Sequence, residues 1–382
     1  MKILHLSDLH IGKSVNGFSM IAEQKHAFAQ VVEHIKTECP DAVVIAGDVY
    51  DRAVPSVESV RLFDDFLTDL AKTDVAVLLV SGNHDSPERL GYAGRLLTEK
   101  RLHLCGMFGG FLHKVVLNDE HGVVNFWLLP FIKPSSLRGL YEEREVESYD
   151  GAISAVIESA NIDYSERNIL IAHQFFTKFG VTPIRSESEF NPVGGLGAVS
   201  AELVERFDYV ALGHLHGGQS VGSEHIRYCG SPIKYSFSEW RHEKSATLIK
   251  LKEKGSLSIS TLPFTPIHDM REIKGEIEKL LSDEISSLAD KEDYLRVVLT
   301  DEEEIIDPMG KLRSVYPNVM SIGFENSRTN IDISSINADI EAIETLSQYD
   351  LFNEFFLEVQ GSVMSEEQIV IVRELLERTG EE

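Results

Sequence analysis

The chain has 382 residues, more than one average domain needs, so about two or three domains are expected. Hydrophobic residues make up 43% of it, enough for a sizeable core, while a formal net charge of −26 gives it no basic footprint for holding nucleic acid unaided. No charged-then-apolar leader opens the sequence and no apolar run approaches the ~20 residues of a membrane helix. The odd, scattered cysteines Cys39, Cys105 and Cys229 suit a reducing cytoplasm rather than a disulfide scaffold or a zinc ribbon.

In chain order, a single rhythm repeats: a short β-branched or apolar run, then a polar turn. Ile3 to Leu6 leads into Asp8-Leu9-His10, and Ala42 to Ala46 leads into Gly47-Asp48. Val75 to Val80 leads into Gly82-Asn83-His84-Asp85, Ile169 to Ala172 into His173, and Tyr209 to Leu212 into Gly213-His214-Leu215-His216. Uninterrupted apolar runs of this length predict strands covered on both faces. Helical spacing lies between them, in Ala22 to Ile35 and in Val57 to Leu70 behind Pro55-Ser56. The expected fold is therefore α/β with two packed sheets.

Ser231 to Lys252 reads as antiparallel strands with a turn near Glu239 to Lys244, and His268 to Leu281 as a charged helical stretch. Tyr294 to Thr300, Asp307 to Tyr316 and Val319 to Phe324 predict a small β-α-β domain. Glu354 to Gln360 reads as strand or linker, and Ser365 to Arg378 as a helix in an acidic tail. The expected division is 1–265, 266–345 and 346–382.

Chemistry concentrates where strands end. Ligands of open α/β sheets sit beyond the carboxyl ends of strands, and five such ends here carry metal-capable side chains. Asp8 and His10 are two apart, as are His214 and His216, so an extended backbone would send each pair to one face. Gly47 and Gly82 let the chain turn tightly before Asp48 and Asn83. Any one of these motifs alone is an ordinary turn or cap. Together they form a nitrogen and oxygen donor set without sulfur, which favours Mn²⁺, Fe or Zn²⁺ as bound ion over a zinc–thiolate site.

With those residues in view, the chain resembles the calcineurin-like metallophosphoesterase superfamily, whose Asp-x-His, Gly-Asp, Gly-Asn-His-Asp, mid-chain His and Gly-His-x-His motifs are all present. The resemblance implies a four-layer fold of two mixed sheets flanked by helices, with a small α+β capping domain. It also implies that Asp8, His10, Asp48 and His216 hold one ion, that Asp48, Asn83, His173 and His214 hold another, and that Asp48 bridges. Two ions roughly 3.5–4 Å apart clamp a phosphate and activate water. His84 is then expected beside the leaving group as general acid or charge stabiliser, with Asp85 orienting it.

Within that superfamily, Met1 to Lys13, Glu23 to Phe28 and Tyr228-Cys229-Gly230-Ser231-Pro232 with Tyr235 to Glu239 are similar to the SbcD family of bacterial nuclease subunits. That similarity implies two Mn²⁺ ions and an SMC-like ATPase partner of the SbcC type. It implies ATP-dependent 3′–5′ degradation of duplex DNA ends and endonuclease cutting of single strands and hairpins, in replication, recombination and repair. It further implies a homodimer built on helices at Val57 to Leu70 and Pro87 to Leu97, with the helix from Ser365 docking the ATPase; by their own spacing these apolar stripes equally suit packing within the chain, and the last helix packing on its own domain. Lys13, Arg89, Lys234 and Arg241 are candidate phosphate contacts. Asp51-Arg52 resembles a Ser/Thr-phosphatase motif, so a metallophosphatase or nucleotide phosphodiesterase is the alternative, and a non-catalytic scaffold a third.

Overall fold

A computed structural model describes residues 1–141, 146–178, 183–189 and 197–327, with scattered positions beyond. The chain divides into two compact units, Met1–Met270 and Arg271–Glu382. Among the described residues, no helix is long and apolar enough to cross a membrane.

The first unit contains two six-stranded sheets. One runs in the order Leu257–Pro263, Ser245–Leu251, Lys2–Leu6, Ala42–Ala46, Ala76–Val80, Leu102–Cys105. The other runs Gln219–Val221, Ser223–Tyr228, Tyr209–Gly213, Arg167–His173, Gly122–Leu129, His113–Asp119. Both are mixed: the first is parallel from Lys2–Leu6 to its Leu102–Cys105 edge and antiparallel at the other edge, and the second is parallel at its centre and antiparallel at both edges. The alternation of side chains along each strand sorts the apolar runs into layers. In Ala42–Ala46, residues 42, 44 and 46 join a core shared with Leu78, Phe126, Ile171 and Ala211 of both sheets. Val43 and Ile45 face the opposite way, onto Phe28, Val31, Phe63 and Phe66 of two helices. The outer face of the second sheet is covered by Ile153 and Val156 of the helix Tyr149–Ser159. The four-layer α/β architecture follows, and a large-to-small change in its middle layer, such as Leu78→Ala, should cost about 2–5 kcal/mol.

Helices on the first sheet form where spacing predicts them, as Ile21–Glu38 and Val57–Ala71. Ser56 caps the second, its Oγ accepting the Ser59 N–H at 3.1 Å. Other expectations need correction. Pro87 to Leu97 is two single turns, Pro87–Leu90 and Gly94–Leu97, because Ala93 between them takes a left-handed φ of 59°. Before Lys244 the stretch from Ser231 forms no strand but an irregular loop with a short turn at Phe237–Glu239; strand structure begins at Ser245. Buried side chains rather than backbone ladders organise that loop, as described below.

In the second unit, Tyr294–Leu299 and Val319–Phe324 are parallel neighbours, with the helix Pro308–Arg313 between them in sequence. Leu280, Leu295, Val297, Leu312 and Val319 share its core. The predicted helical stretch from His268 is instead a strand, Met270–Gly275, followed by the helix Ile277–Leu281. Pairing in the three-stranded sheet overrides the local spacing there. The expected elements Glu354 to Gln360 and Ser365 to Arg378 fall largely outside the described residues.

Candidate metal centre

The expected ligands lie in the loops that follow the parallel strands, or in the case of His173 at a strand's last residue, and the loops are laced together by main-chain hydrogen bonds. Asp8 N donates to Gly47 O at 3.1 Å, His10 N to Asp48 O at 2.9 Å and Ile11 N to Val49 O at 2.8 Å. These are not extended segments. Asp8 (φ 53°), His10 (φ 42°), Asp48 (φ 49°) and His214 (φ 111°) all lie at positive φ, a costly backbone for residues other than glycine. The Asp8/His10 pair therefore converges through turns, not through the alternation of a strand. Gly47 does turn, at φ 87°, and a Cβ there would also lie 2.3 Å from His173 Nδ1. Gly82 is needed for a different reason from the one predicted. Its φ is ordinary, but a Cβ would fall 2.1 Å from Asp48 Oδ1, so glycine here is a matter of close approach.

All seven predicted ligands meet. Ligand-capable atoms of Asp8, His10 and His216 lie within 4.8 Å of one another, as do those of Asp8, Asp48 and His173. Asp48 Oδ2 stands 3.2 Å from His173 Nε2 and 3.7 Å from His10 Nε2, between the two groups. Asn83 Oδ1 lies 3.0 Å from His173 Nε2 and 3.1 Å from His214 Nδ1. The Asp8 carboxylate accepts the His214 N–H at 2.9 and 3.2 Å, tying the first strand's loop to the last. His84 also approaches, forming a third such group with His10 and Asp48. Its own N–H donates to Asp48 Oδ1 at 2.9 Å. Its Nδ1 lies 2.8 Å from Asp51 O, which can only accept, so Nδ1 carries the ring hydrogen and Nε2 is left to the site.

The donor set fits divalent cations. His173 Nδ1 donates to Ala46 O at 2.8 Å, which leaves an Nε2 lone pair facing Asp48 and Asn83. His10 Nε2 and His216 Nε2 face each other 3.0 Å apart. The field has the matching sign. Burial opposes charge on His173, yet Asp48 beside it, with Asp8 further off, outweighs burial and lifts its pKa to about 9, so the site favours a positive charge at Nε2, and a bound cation would displace that proton and take the lone pair. Burial, then neighbouring His173, drops His214 to about 3, so that imidazole is neutral and free to donate a lone pair.

The expected contact between Asp85 and His84 is not made. Asp85 instead accepts three main-chain N–H groups, from Gly82 (2.9 Å), Val49 (3.1 Å) and Tyr50 (2.9 Å). A carboxylate enclosed by donors has no need of the imidazole, and here it pins the Asp48 loop to the Asn83 loop. Burial and the nearby Asp48 raise its pKa to about 6.

Several residues that act here carry little mark in the sequence. Gln24 donates to His10 O at 2.7 Å and accepts from Gly12 N at 3.0 Å. Its position was a signal, since Gln24 shares one helix face with Phe28, Val31 and Ile35 and is buried with them. Ser188, Glu189, Glu239 and Lys244 surround His216, and nothing in their spacing marks them. A cavity of about 770 Å³ opens beside the ligands, lined by His84, Asn83 and His214, by Arg52 and Lys133, and by Phe131, Tyr149 and Phe175. Of the expected phosphate contacts, Lys13 is paired with Asp51 at 2.9 Å, Lys234 with Asp269 at 2.7 Å, and Arg241 lies over the Trp240 ring. Arg89 is exposed away from the cavity lining.

Comparison with known proteins identifies the family. Residues 1–218 match the calcineurin-like phosphoesterase family, and residues 266–360 match a domain described as the type 5 capsule protein repressor C-terminal domain. The SbcD subunit of the SbcCD nuclease from Staphylococcus epidermidis is 32% identical over 325 residues, covering 84% of this chain and 85% of that protein. Its counterpart from Staphylococcus saprophyticus is 30% identical over 362 residues, 92% of each chain. Among solved structures, a dimetal phosphatase from Danio rerio overlaps with a TM-score of 0.39 at 13% identity, covering 69% of this chain and 99% of that one. The chain belongs to the calcineurin-like phosphoesterase family and, within it, to the SbcD nuclease subunits.

Proposed function

We propose that this protein is a two-metal DNA nuclease working with an SbcC-type ATPase, and that the carrying observation is the convergence of six buried or half-buried ligand-capable side chains around Asp48. Asp8, His10, Asp48 and His216 hold one divalent ion; Asp48, Asn83, His173 and His214 hold the other. Bound there, divalent ions would supply Lewis acidity toward the phosphodiester and toward an attacking water, and Mn²⁺ suits the nitrogen and oxygen donors.

The protein's own groups do the rest. Asp48 keeps the two groups in register, because its Oδ1 is engaged by the His84 N–H and its Oδ2 faces both His173 and His10. His84, with Nδ1 fixed on Asp51 O, presents Nε2 to the cavity and serves the leaving oxygen as acid or charge stabiliser. Asp85 acts through the backbone, holding the two loops together. Arg52, on the cavity wall, receives a non-bridging oxygen or a neighbouring phosphate.

Residues 1–265 serve as the nuclease domain, 266–345 as the capping domain, and 346–382 as the segment that docks the ATPase. The protein acts in the cytoplasm as a homodimer. The net charge of −26 is the reason a partner is required, since an ATPase that clamps DNA supplies the electrostatic attraction this chain lacks. The test is a Mn²⁺-dependent assay on linear and hairpin DNA, with and without the ATPase. Cleavage of DNA supports the reading. Hydrolysis of phosphomonoesters with no cleavage of DNA in either condition overturns it in favour of the phosphatase alternative.

A further inference from the structure

His216 is gripped from behind by groups that none of the steps above uses. Glu239 is 0% exposed and Lys244 8%, and the two pair at 2.6 Å. The three ammonium hydrogens of Lys244 are all committed: to Glu239 Oε2, to His216 O at 2.8 Å and to Ser231 Oγ at 2.9 Å. The other carboxylate oxygen, Oε1, accepts from Ser188 Oγ at 2.8 Å and lies 3.3 Å from His216 Nδ1. Ser188 Oγ itself is 2.8 Å from His216 Nδ1.

The polarity of this chain of hydrogen bonds is forced. An ionised carboxylate only accepts, so the serine hydroxyl gives its hydrogen to Glu239 and turns a lone pair to the imidazole. Nδ1 of His216 must then carry the ring hydrogen, and Nε2 the lone pair, aimed at the point it shares with His10 Nε2. The main chain of His216 is fixed as well, its N–H donating to Glu189 at 2.6 Å and its carbonyl accepting from Lys244 and from Ser231 N. Leaving Glu239 unpaired at this depth would be costly, which explains why a lysine is buried with it.

We propose that Glu239, acting through Ser188 and backed by Lys244, is the positioning group that fixes the tautomer and aim of His216 and thereby sets the affinity of one of the two metal sites. The inference rests on the reading of His216 as a metal ligand. Carboxylate–histidine pairs behind metals typically carry a 10- to 100-fold effect on affinity, on the order of what is expected here. Ser188 lies on the wall of the cavity, so the same hydroxyl joins the cavity lining to the ligand behind it.

The experiment is a Mn²⁺ titration of the full chain by calorimetry and electron paramagnetic resonance, for the wild type, Glu239→Gln and Ser188→Ala, with thermal unfolding of the metal-free proteins alongside. The wild type should bind two ions. Glu239→Gln should weaken one of them by roughly 10- to 100-fold and leave the other unchanged. Ser188→Ala, on a half-exposed loop, should weaken the same ion several-fold with an unchanged unfolding temperature, and it decides the matter if Glu239→Gln does not fold. Two ions bound at wild-type affinity in Ser188→Ala, or equal weakening of both ions in Glu239→Gln, would overturn the inference while leaving the metal centre standing. A wild type that binds fewer than two ions would bring down the two-metal reading itself, and this inference with it.

Discussion

One strand, Arg167–His173, has a buried charged or chargeable side chain at each end, and the two ends have different fates. At the start, the Arg167 guanidinium makes five hydrogen bonds: two to the Asp119 carboxylate and three to the carbonyls of Gly122, Val123 and Lys252. Every donor is used, and the Asp119 carboxylate that faces the guanidinium also receives the Met1 ammonium. At the finish, His173 Nε2 meets Asp48 and Asn83, both of which offer oxygen lone pairs, while Asp8 adds further negative charge. Both ends are buried; they differ in satisfaction. A closed ion pair stabilises the fold, whereas convergent acceptors create a place for a cation.

Substitutions at the two ends should separate these roles. The largest effect belongs to Asp48→Ala, which should remove both ions by elemental analysis and lower Mn²⁺-dependent phosphodiester turnover by roughly three orders of magnitude or more. Retention of one ion at normal affinity would contradict bridging. His84→Ala should keep its metal content and lose roughly 10²- to 10³-fold in turnover, so a depleted metal content in that variant would return His84 to the ligand set.

At the other end, Asp119→Asn should leave metal content and turnover untouched but cost about 3 kcal/mol in urea unfolding, because Arg167 is stranded. The hydrogen bond from Arg167 holds the Asp119 carboxyl well below its usual range. Its contribution is therefore present above the unfolded value of 3.8 and fades as pH falls through the lower folded value, so wild type and Asp119→Asn should converge in acid. An undiminished difference at low pH would show that charge is not the source. Arg52→Ala, with a side chain 85% exposed, should have the smallest effect, a rise in KM of roughly two- to fivefold.

Much of the site was legible because its ligands follow apolar runs that are strands by composition alone. Ala42 to Ala46 before Gly47-Asp48 is an example, and the strand forms with those bounds. The edge strands were harder. His113–Asp119 alternates with exposed residues such as Val116, and its pairing with Gly122–Leu129 decides it more than its own sequence. The role of Asp85 was not legible because adjacency in sequence suggests a partner, His84, while the backbone turn points the carboxylate at residues 49 and 50.

By itself the sequence determined which faces of the core strands are buried and which side chains are candidate ligands, since side-chain period and donor chemistry are local properties. Only the tertiary structure decided how the ligands meet. Left-handed turns at Asp8, His10 and Asp48, and hydrogen bonds such as that from His214 N to Asp8 across 206 positions, depend on chain crossings that no local pattern encodes. The same holds for Glu239 and Lys244, whose burial behind His216 is set by the packing of a loop against strands far away in sequence.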